Sequence, residues 1–246
     1  MAKRAMTPEA KALKATAIID KAAEMFFSLE YEKIKMSDIA KHMGMSNGIL
    51  FVYFKTKEAL FFSLLCREYE KRLARLKEMA KEIPIRSFDD FKNLVMKELM
   101  ELVEHNPLYV RLESMRIAVF EKNVDPETML NQKIKLYQLM QELVDNICAW
   151  EALSPEDVME VLQAEASIIT GCKLSATLPA EVVEIIEKNG MEGFKRNFKD
   201  DVRHTMLCYL EGYHKHFNAA SCNRAARLED KDAESGVFLP TEVQDD

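Results

Sequence analysis

The side chains best spaced for chemistry are few. Asp201-x-x-His204 and Glu211-x-x-His214 repeat the carboxylate-x-x-histidine spacing of helical metal sites, but both pairs fall on one predicted helix. Such sites draw ligands from facing helices, so no metal or other cofactor is expected. Glu165 lies on the apolar face of its helix, three residues after Leu162 and four before Ile169. A carboxylate there must find a partner or rise in pKa, and it is a candidate for an interface contact, for a tilt to water or for anchoring a small ligand. Arg116, flanked by Tyr109, Leu112 and Phe120, is another candidate ligand contact. No G-x-S-x-G, phosphate-binding loop or dinucleotide fingerprint occurs, so an enzyme is not expected. What remains is recognition chemistry. In "MGMSNGILFVYFKTKEAL", Ser46 can cap a helix whose first turn (Asn47, Gly48, Ile49) is polar or small. A helix start with free amides and small outward residues suits phosphate and the edges of bases.

Those residues need elements to position them. Glycine and proline number only 7 each, methionine 15, and no segment alternates as a strand would. The fold class is all-α. The spacing predicts helices over 9–28, 36–43, 46–53, a long one capped by Thr56 and ending before Pro84, then 88–104, 108–121, 126–150, 155–176, 179–188 and 191–217. Gly44 falls where the second helix must turn sharply into the third. Ile39, Ala40, Met43, Met45, Leu50 and Tyr53 supply the apolar contacts, which is the sequence form of a helix-turn-helix.

Charge divides along the chain. Residues 1–58 carry ten basic and seven acidic side chains, while the whole protein has a formal charge of -7. A mildly basic head on an acidic body suits a protein whose head alone meets phosphate. The five scattered cysteines, without C-x-x-C spacing, read as reduced thiols. With no apolar run long enough for a membrane span, a soluble cytoplasmic protein is expected.

The run from Ala22 to Leu60 resembles the DNA-binding domain of the TetR family, the tetracycline-repressor-like regulators. Ala22 to Phe26, Ile39-Ala40, "MGMS", "FVYF" and Lys57 to Leu60 occur in that family's order and with its gaps. Three positions depart from it: Glu30 stands for a usual glycine, Lys35 for a capping threonine and Phe51 for a common tyrosine. The resemblance implies a helix-turn-helix domain over 1–55, a connecting helix over 56–83, and an effector-binding and dimerisation body over 84–218. The polar tail over 219–246 reads as disordered. Expected DNA contacts are Asn47, Gly48 and Ile49 at base edges, with Lys41, Ser46, Tyr53, Lys57 and the terminal Lys3 and Arg4 at phosphates. Expected effector contacts are Tyr109, Met115, Arg116, Tyr137, Met140 and Glu165. The resemblance further implies a homodimer joined through the 155–176 and 191–217 helices. The function expected is a ligand-responsive transcriptional regulator, a repressor released from its double-stranded DNA operator by a small hydrophobic effector. The alternatives are the same fold under a protein partner's control, or a helical carrier with no DNA role.

Overall fold

The computed structural model describes residues 7–215, which contain helices and no strand. They fall into two compact units, the first reaching Met206 and the second beginning at Leu207. The predicted tail over 219–246, Phe217, Cys222, Lys3 and Arg4 lie outside the described residues.

The head is built from α1 (Pro8–Ser28), a 3-10 turn (Tyr31–Lys33), α2 (Met36–His42) and α3 (Asn47–Tyr53). Thr7 caps α1, its side-chain oxygen accepting from the Ala10 amide at 3.2 Å, and Pro8 fills the first turn where no amide is needed. One face of α1 buries Ile18, Ala22, Met25 and Phe26 against Ile39 and Ala40 of α2 and Leu50 of α3. Full burial of each large apolar side chain contributes roughly 1.5–3 kcal/mol. Ala40, only 1% exposed, is small enough for the helices to approach closely.

The body follows in α4 (Lys57–Glu82), α5 (Phe88–His105), α6 (Pro107–Met115), α7 (Pro126–Cys148), α8 (Pro155–Ala176) and α9 (Ala180–Lys188). Their starts carry the caps the breaks announce. Thr56, Ser87, Asn106, Asp125 and Ser154 each accept an amide from the first turn, and Ser154 with Asp157 completes a reciprocal capping box. Two segments differ from the periodicity. The stretch expected as one helix to Glu121 changes at Arg116 into a π-helical turn, Arg116–Glu121. The last helix begins at residue 198, not at Met191: a 3-10 turn, Glu192–Phe194, and three non-helical residues precede it. Phe194, expected on its apolar stripe, is therefore off the helix and 68% exposed, while Val202 and Met206 are buried. Residues 207–215, in the second unit, are helical.

Head and body share one core. Phe61, Phe62, Leu64 and Leu65 of α4, with Leu112 and Phe120, cluster with Phe26, Tyr31 and Ile34. Arg111 of α6 donates to the main-chain oxygens of Phe26 at 2.5 Å and Leu29 at 3.1 Å, satisfying carbonyls at the end of α1. Its guanidinium also lies 4.0 Å from the Phe26 ring centre.

Candidate nucleic-acid interface and body cavity

The turn between α2 and α3 closes as a Schellman motif. The Met45 amide donates to the Ala40 carbonyl at 3.0 Å, and the Gly44 amide to that of Lys41 at 3.1 Å. Gly44 adopts a φ of 63°, the left-handed region where a Cβ is unfavourable. Ser46 then starts α3 in extended backbone, its hydroxyl accepting from the Ile49 amide at 3.4 Å. Lys35, at the equivalent place before α2, makes no side-chain cap, so that end relies on Asp38 in its first turn.

Helix α3 is anchored by Leu50, which is fully buried, with Met45 and Tyr53 packed against the same core. Asn47, Gly48 and Ile49 are exposed along its first turn, and Ser46 and Lys41 beside it are exposed too. Phe51 and Val52, at 46% and 70% exposure, extend this surface. The sequence marks Phe51 only as standing for a common tyrosine and gives Val52 no role. Leu50, with Tyr53 partly buried beside it, docks this seven-residue helix and leaves its other positions exposed.

Lys57 is placed differently from the phosphate contact expected of it. Its ammonium donates to the carbonyls of Tyr31 at 2.6 Å and Ile34 at 2.9 Å and lies 3.8 Å from the Tyr31 ring centre. It therefore closes the 3-10 turn onto the start of α4, and burial lowers its pKa against the opposing pull of Glu58 and Glu32. Tyr31 donates its hydroxyl to Glu58 at 3.0 Å. Burial, then the Glu58 charge, raise the Tyr31 pKa well above the usual phenol value.

The body holds a half-open cavity of about 920 Å³ between α4, α6, α7 and α8. Phe62, Leu73, Leu76, Met140, Met159 and Leu162 supply apolar wall. Of the expected effector contacts, Tyr109, Arg116, Tyr137 and Met140 line it. Met115 does not; it packs against the core shared by head and body. Glu165 is fully buried behind the wall, paired to a lining residue that sequence reading passed over, Arg72.

Arg72 ties four helices. From α4 its Nε and Nη2 reach both oxygens of Glu98 on α5, the shortest contact being 2.7 Å. Its Nη1 donates to the Tyr109 hydroxyl on α6 at 3.0 Å, and its Nη2 to Glu165 Oε2 on α8 at 2.5 Å. Glu98 also accepts from Arg75 at 2.6 Å. Desolvation works against its charge, but Arg72 and Arg75 hold its pKa below the usual carboxylate value. Glu165 is the reverse case. Burial outweighs Arg72, and the charges of Glu98 and Glu113 add to it, so its pKa is raised to about 7. Its Oε1 has no hydrogen-bond partner. A second array runs through the π turn: Tyr69 donates to Glu113, Arg116 bonds Glu113 at 2.9 Å and Glu121 at 3.2 Å, and Lys133 bonds Glu121 at 2.6 Å.

Among the described residues no three histidine, cysteine or acidic side chains converge as a metal site would require, and no helix is long and apolar enough to cross a membrane.

Comparison with known proteins bears on this arrangement. Residues 18–64 match the family described as bacterial regulatory proteins, tetR family, and residues 67–216 match the tetracyclin repressor-like C-terminal domain. Two Bacillus subtilis (strain 168) proteins are similar over short stretches. The fatty acid metabolism regulator protein is 35% identical over 65 residues, 26% of this chain and 34% of that protein. The uncharacterized HTH-type transcriptional regulator YuxN is 36% identical over 59 residues, 24% of this chain and 20% of that one. The chain thus spans about a third or less of these curated relatives. Among solved structures, a TetR/AcrR-family regulator from Thermobifida fusca YX-ER1 aligns with 80% of this chain and 96% of its own at 18% identity and a TM-score of 0.45. Mycobacterium smegmatis AmtR aligns with 78% and 93% at 20% identity and a TM-score of 0.39. With both domain matches covering the head and the cavity-bearing body, the chain belongs to the TetR family of transcriptional regulators, with a helix-turn-helix DNA-binding domain at its head.

Proposed function

We propose that this regulator is a repressor released from its operator by a small, largely hydrophobic effector held in the body cavity. The observation that carries this reading is the continuity between cavity and head. Arg116 and Glu121 line the cavity at the two ends of one π turn, and Phe120 of that turn is buried in the head's own core. An effector that displaces Arg116 or Glu121 acts on the surface against which Tyr31 and Phe61 pack. Its differential affinity for two arrangements of that turn would shift the population between them.

In this reading Asn47, Gly48 and Ile49 meet base edges in the major groove, with Phe51 or Val52 available for apolar contact there. Ser46, Tyr53 and Lys41 meet phosphates. Lys57 holds the head together first, with one ammonium N–H left for a phosphate. The domain limits of 1–55, 56–83 and 84–218 belong to the same proposal.

A homodimer is needed to address two half-sites, and α8 offers a face for it. Ser167, Gly171, Leu174 and Ser175 are exposed along that helix, and their small members permit close approach of a second copy. Control by a protein partner is the second reading, and a body cavity of about 920 Å³ favours a small molecule over it.

The test is a gel shift of the purified chain on its own upstream DNA and on a scrambled duplex, over a range of salt. Preferential retardation of the upstream DNA, lost on adding a cavity ligand, supports the reading; equal affinity for both duplexes contradicts it.

A further inference from the structure

The cavity's charge arrangement narrows the chemistry of its occupant; this step rests on the effector reading above. Of the charged side chains lining the wall, Arg72, Arg116 and Lys133 are cationic and Glu121 alone is anionic. Glu98, Glu113 and Glu165 stand behind them, each at most 1% exposed. A ligand entering the cavity therefore meets cations first. Arg116 and Lys133 are already bonded to Glu121, and Lys133 reaches solvent. Arg72 is the buried lining cation, and its two carboxylate partners are unequally held.

Glu98 accepts through both oxygens from Arg72 and is also held by Arg75. Glu165 touches Arg72 through Oε2 only, and its Oε1, fully buried, is unpartnered. The charged groups facing it are Arg72 from α4, Glu98 from α5, and Glu113 with the Tyr109 hydroxyl from α6, so two like charges oppose its own. Leaving one carboxylate oxygen buried and unpaired is unfavourable, and neutralising the group removes most of that penalty. Glu165 is thus the exchangeable anion on Arg72.

We propose that the effector is an amphiphile with a single carboxylate head, which replaces Glu165 on the Arg72 guanidinium while its apolar chain lies along Leu73, Leu76, Met140 and Met159. As Glu165 is displaced it takes up one proton from solvent, so the buried site gains one negative charge and one positive charge and its net charge is unchanged. The exchange also transfers Arg72 of α4 from a partner on α8 to the ligand, which unties two helices of the body when the effector arrives.

Isothermal titration of the full chain with decanoate, decanol and decyltrimethylammonium distinguishes the possibilities, run at pH 7.5 and 8.5 in two buffers of different ionisation enthalpy. Decanoate should bind with uptake of close to one proton at pH 8.5 and about tenfold more weakly there than at pH 7.5, because Glu165 must be protonated. Decanol should show no such pH dependence. Glu165→Gln should bind decanoate with no proton uptake and no loss of affinity between the two pH values. Decanoate binding without proton uptake in the unmodified chain, or preference for the ammonium probe, overturns the proposal. Binding of decanol or the ammonium but not decanoate rejects the carboxylate class while leaving the effector cavity standing; binding of none rejects both.

Discussion

The ring of Phe120 lies 5.7 Å from that of Tyr31, edge to face, and 6.4 Å from that of Phe61. Phe120 belongs to the cavity's π turn, Tyr31 to the head, and Phe61 to α4 between them. π turns inside α-helices frequently occur at functional sites. Here the extra residue per turn lets Arg116 and Glu121 share the cavity wall while Phe120 points into the head's core. Trimming Phe120 to alanine should destabilise the chain by about 3–5 kcal/mol in urea unfolding. Phe120→Leu should cost less and raise the effector concentration needed to release DNA. An unchanged release curve with measurably lower stability would remove Phe120 from the transmission of the signal.

Asn47 and Lys41 should separate in their effects on DNA binding. Asn47→Ala should relax preference at one base pair, at about 1–3 kcal/mol of discrimination, in binding to single-substitution duplexes. Lys41→Ala should weaken cognate and scrambled DNA alike and reduce the salt slope by about one contact. Equal losses on both duplexes for Asn47→Ala would take it out of the reading helix's specific contacts.

Lys57 should behave as a structural residue. Replacing it by methionine leaves the Tyr31 and Ile34 carbonyls without their donor, and should lower stability by about 1–3 kcal/mol in chemical denaturation. Loss of DNA affinity should then follow the fraction of folded head. A variant as stable as the parent but with a shallower salt slope would return Lys57 to the phosphate contacts.

Gly44→Ala tests the turn. A Cβ there would meet nothing within 4 Å, so only the left-handed backbone resists it. The expected loss is about 1–2 kcal/mol, measured by thermal or urea unfolding. A loss several times larger would mean that the turn is packed against something.

Glu165 should leave a mark on the pH dependence of stability. Its folded pKa of about 7 lies above the ordinary value near ~4.3. The stability linked to its proton is fully present below that ordinary value and is lost as pH rises through about 7. Glu98, held below the usual value, has the opposite sign and loses its contribution as pH falls through its folded pKa. Glu165→Gln should therefore match the parent at about pH 4, below the ordinary carboxylate value, and exceed its stability at pH 8 by about 2–4 kcal/mol, in parallel urea titrations. A constant difference at both pH values would show that the buried carboxylate does not titrate in this range.

Much of this architecture is legible in the chain because its signals are local. Thr56, Ser154 with Asp157, and the Gly44 turn each act within four or five residues, so the helix starts and the head follow from spacing alone. Glu165 is legible too, since a carboxylate on an apolar stripe must be paired or neutralised, and it is both paired and raised in pKa. Arg72 is not. It stands in a charged run, "REYEKRLARLKE", where it looks like any solvated side chain, and only the convergence of α5, α6 and α8 makes it the centre of the buried array. The structural tie of Lys57 is illegible for a related reason: its acceptors are main-chain carbonyls 23 and 26 residues away, which no side-chain pattern records. The π turn left the helical periodicity nearly intact and so passed as plain helix. The start of the last helix moved because Phe194 happens to keep the spacing of a stripe it does not join.

The most direct measurement is a hydroxyl-radical footprint of the full chain on its upstream DNA, with Asn47→Ala in parallel. The proposed homodimer predicts two protected segments on one side of the duplex, centred about one helical turn (~10 bp) or a multiple of it apart, each weakened where the variant loses its base contact. Protection that is uniform along the duplex, or a footprint unaltered by Asn47→Ala and by removal of the exposed Ile49, Phe51 and Val52 side chains, would contradict the assignment of α3 as the helix that reads DNA.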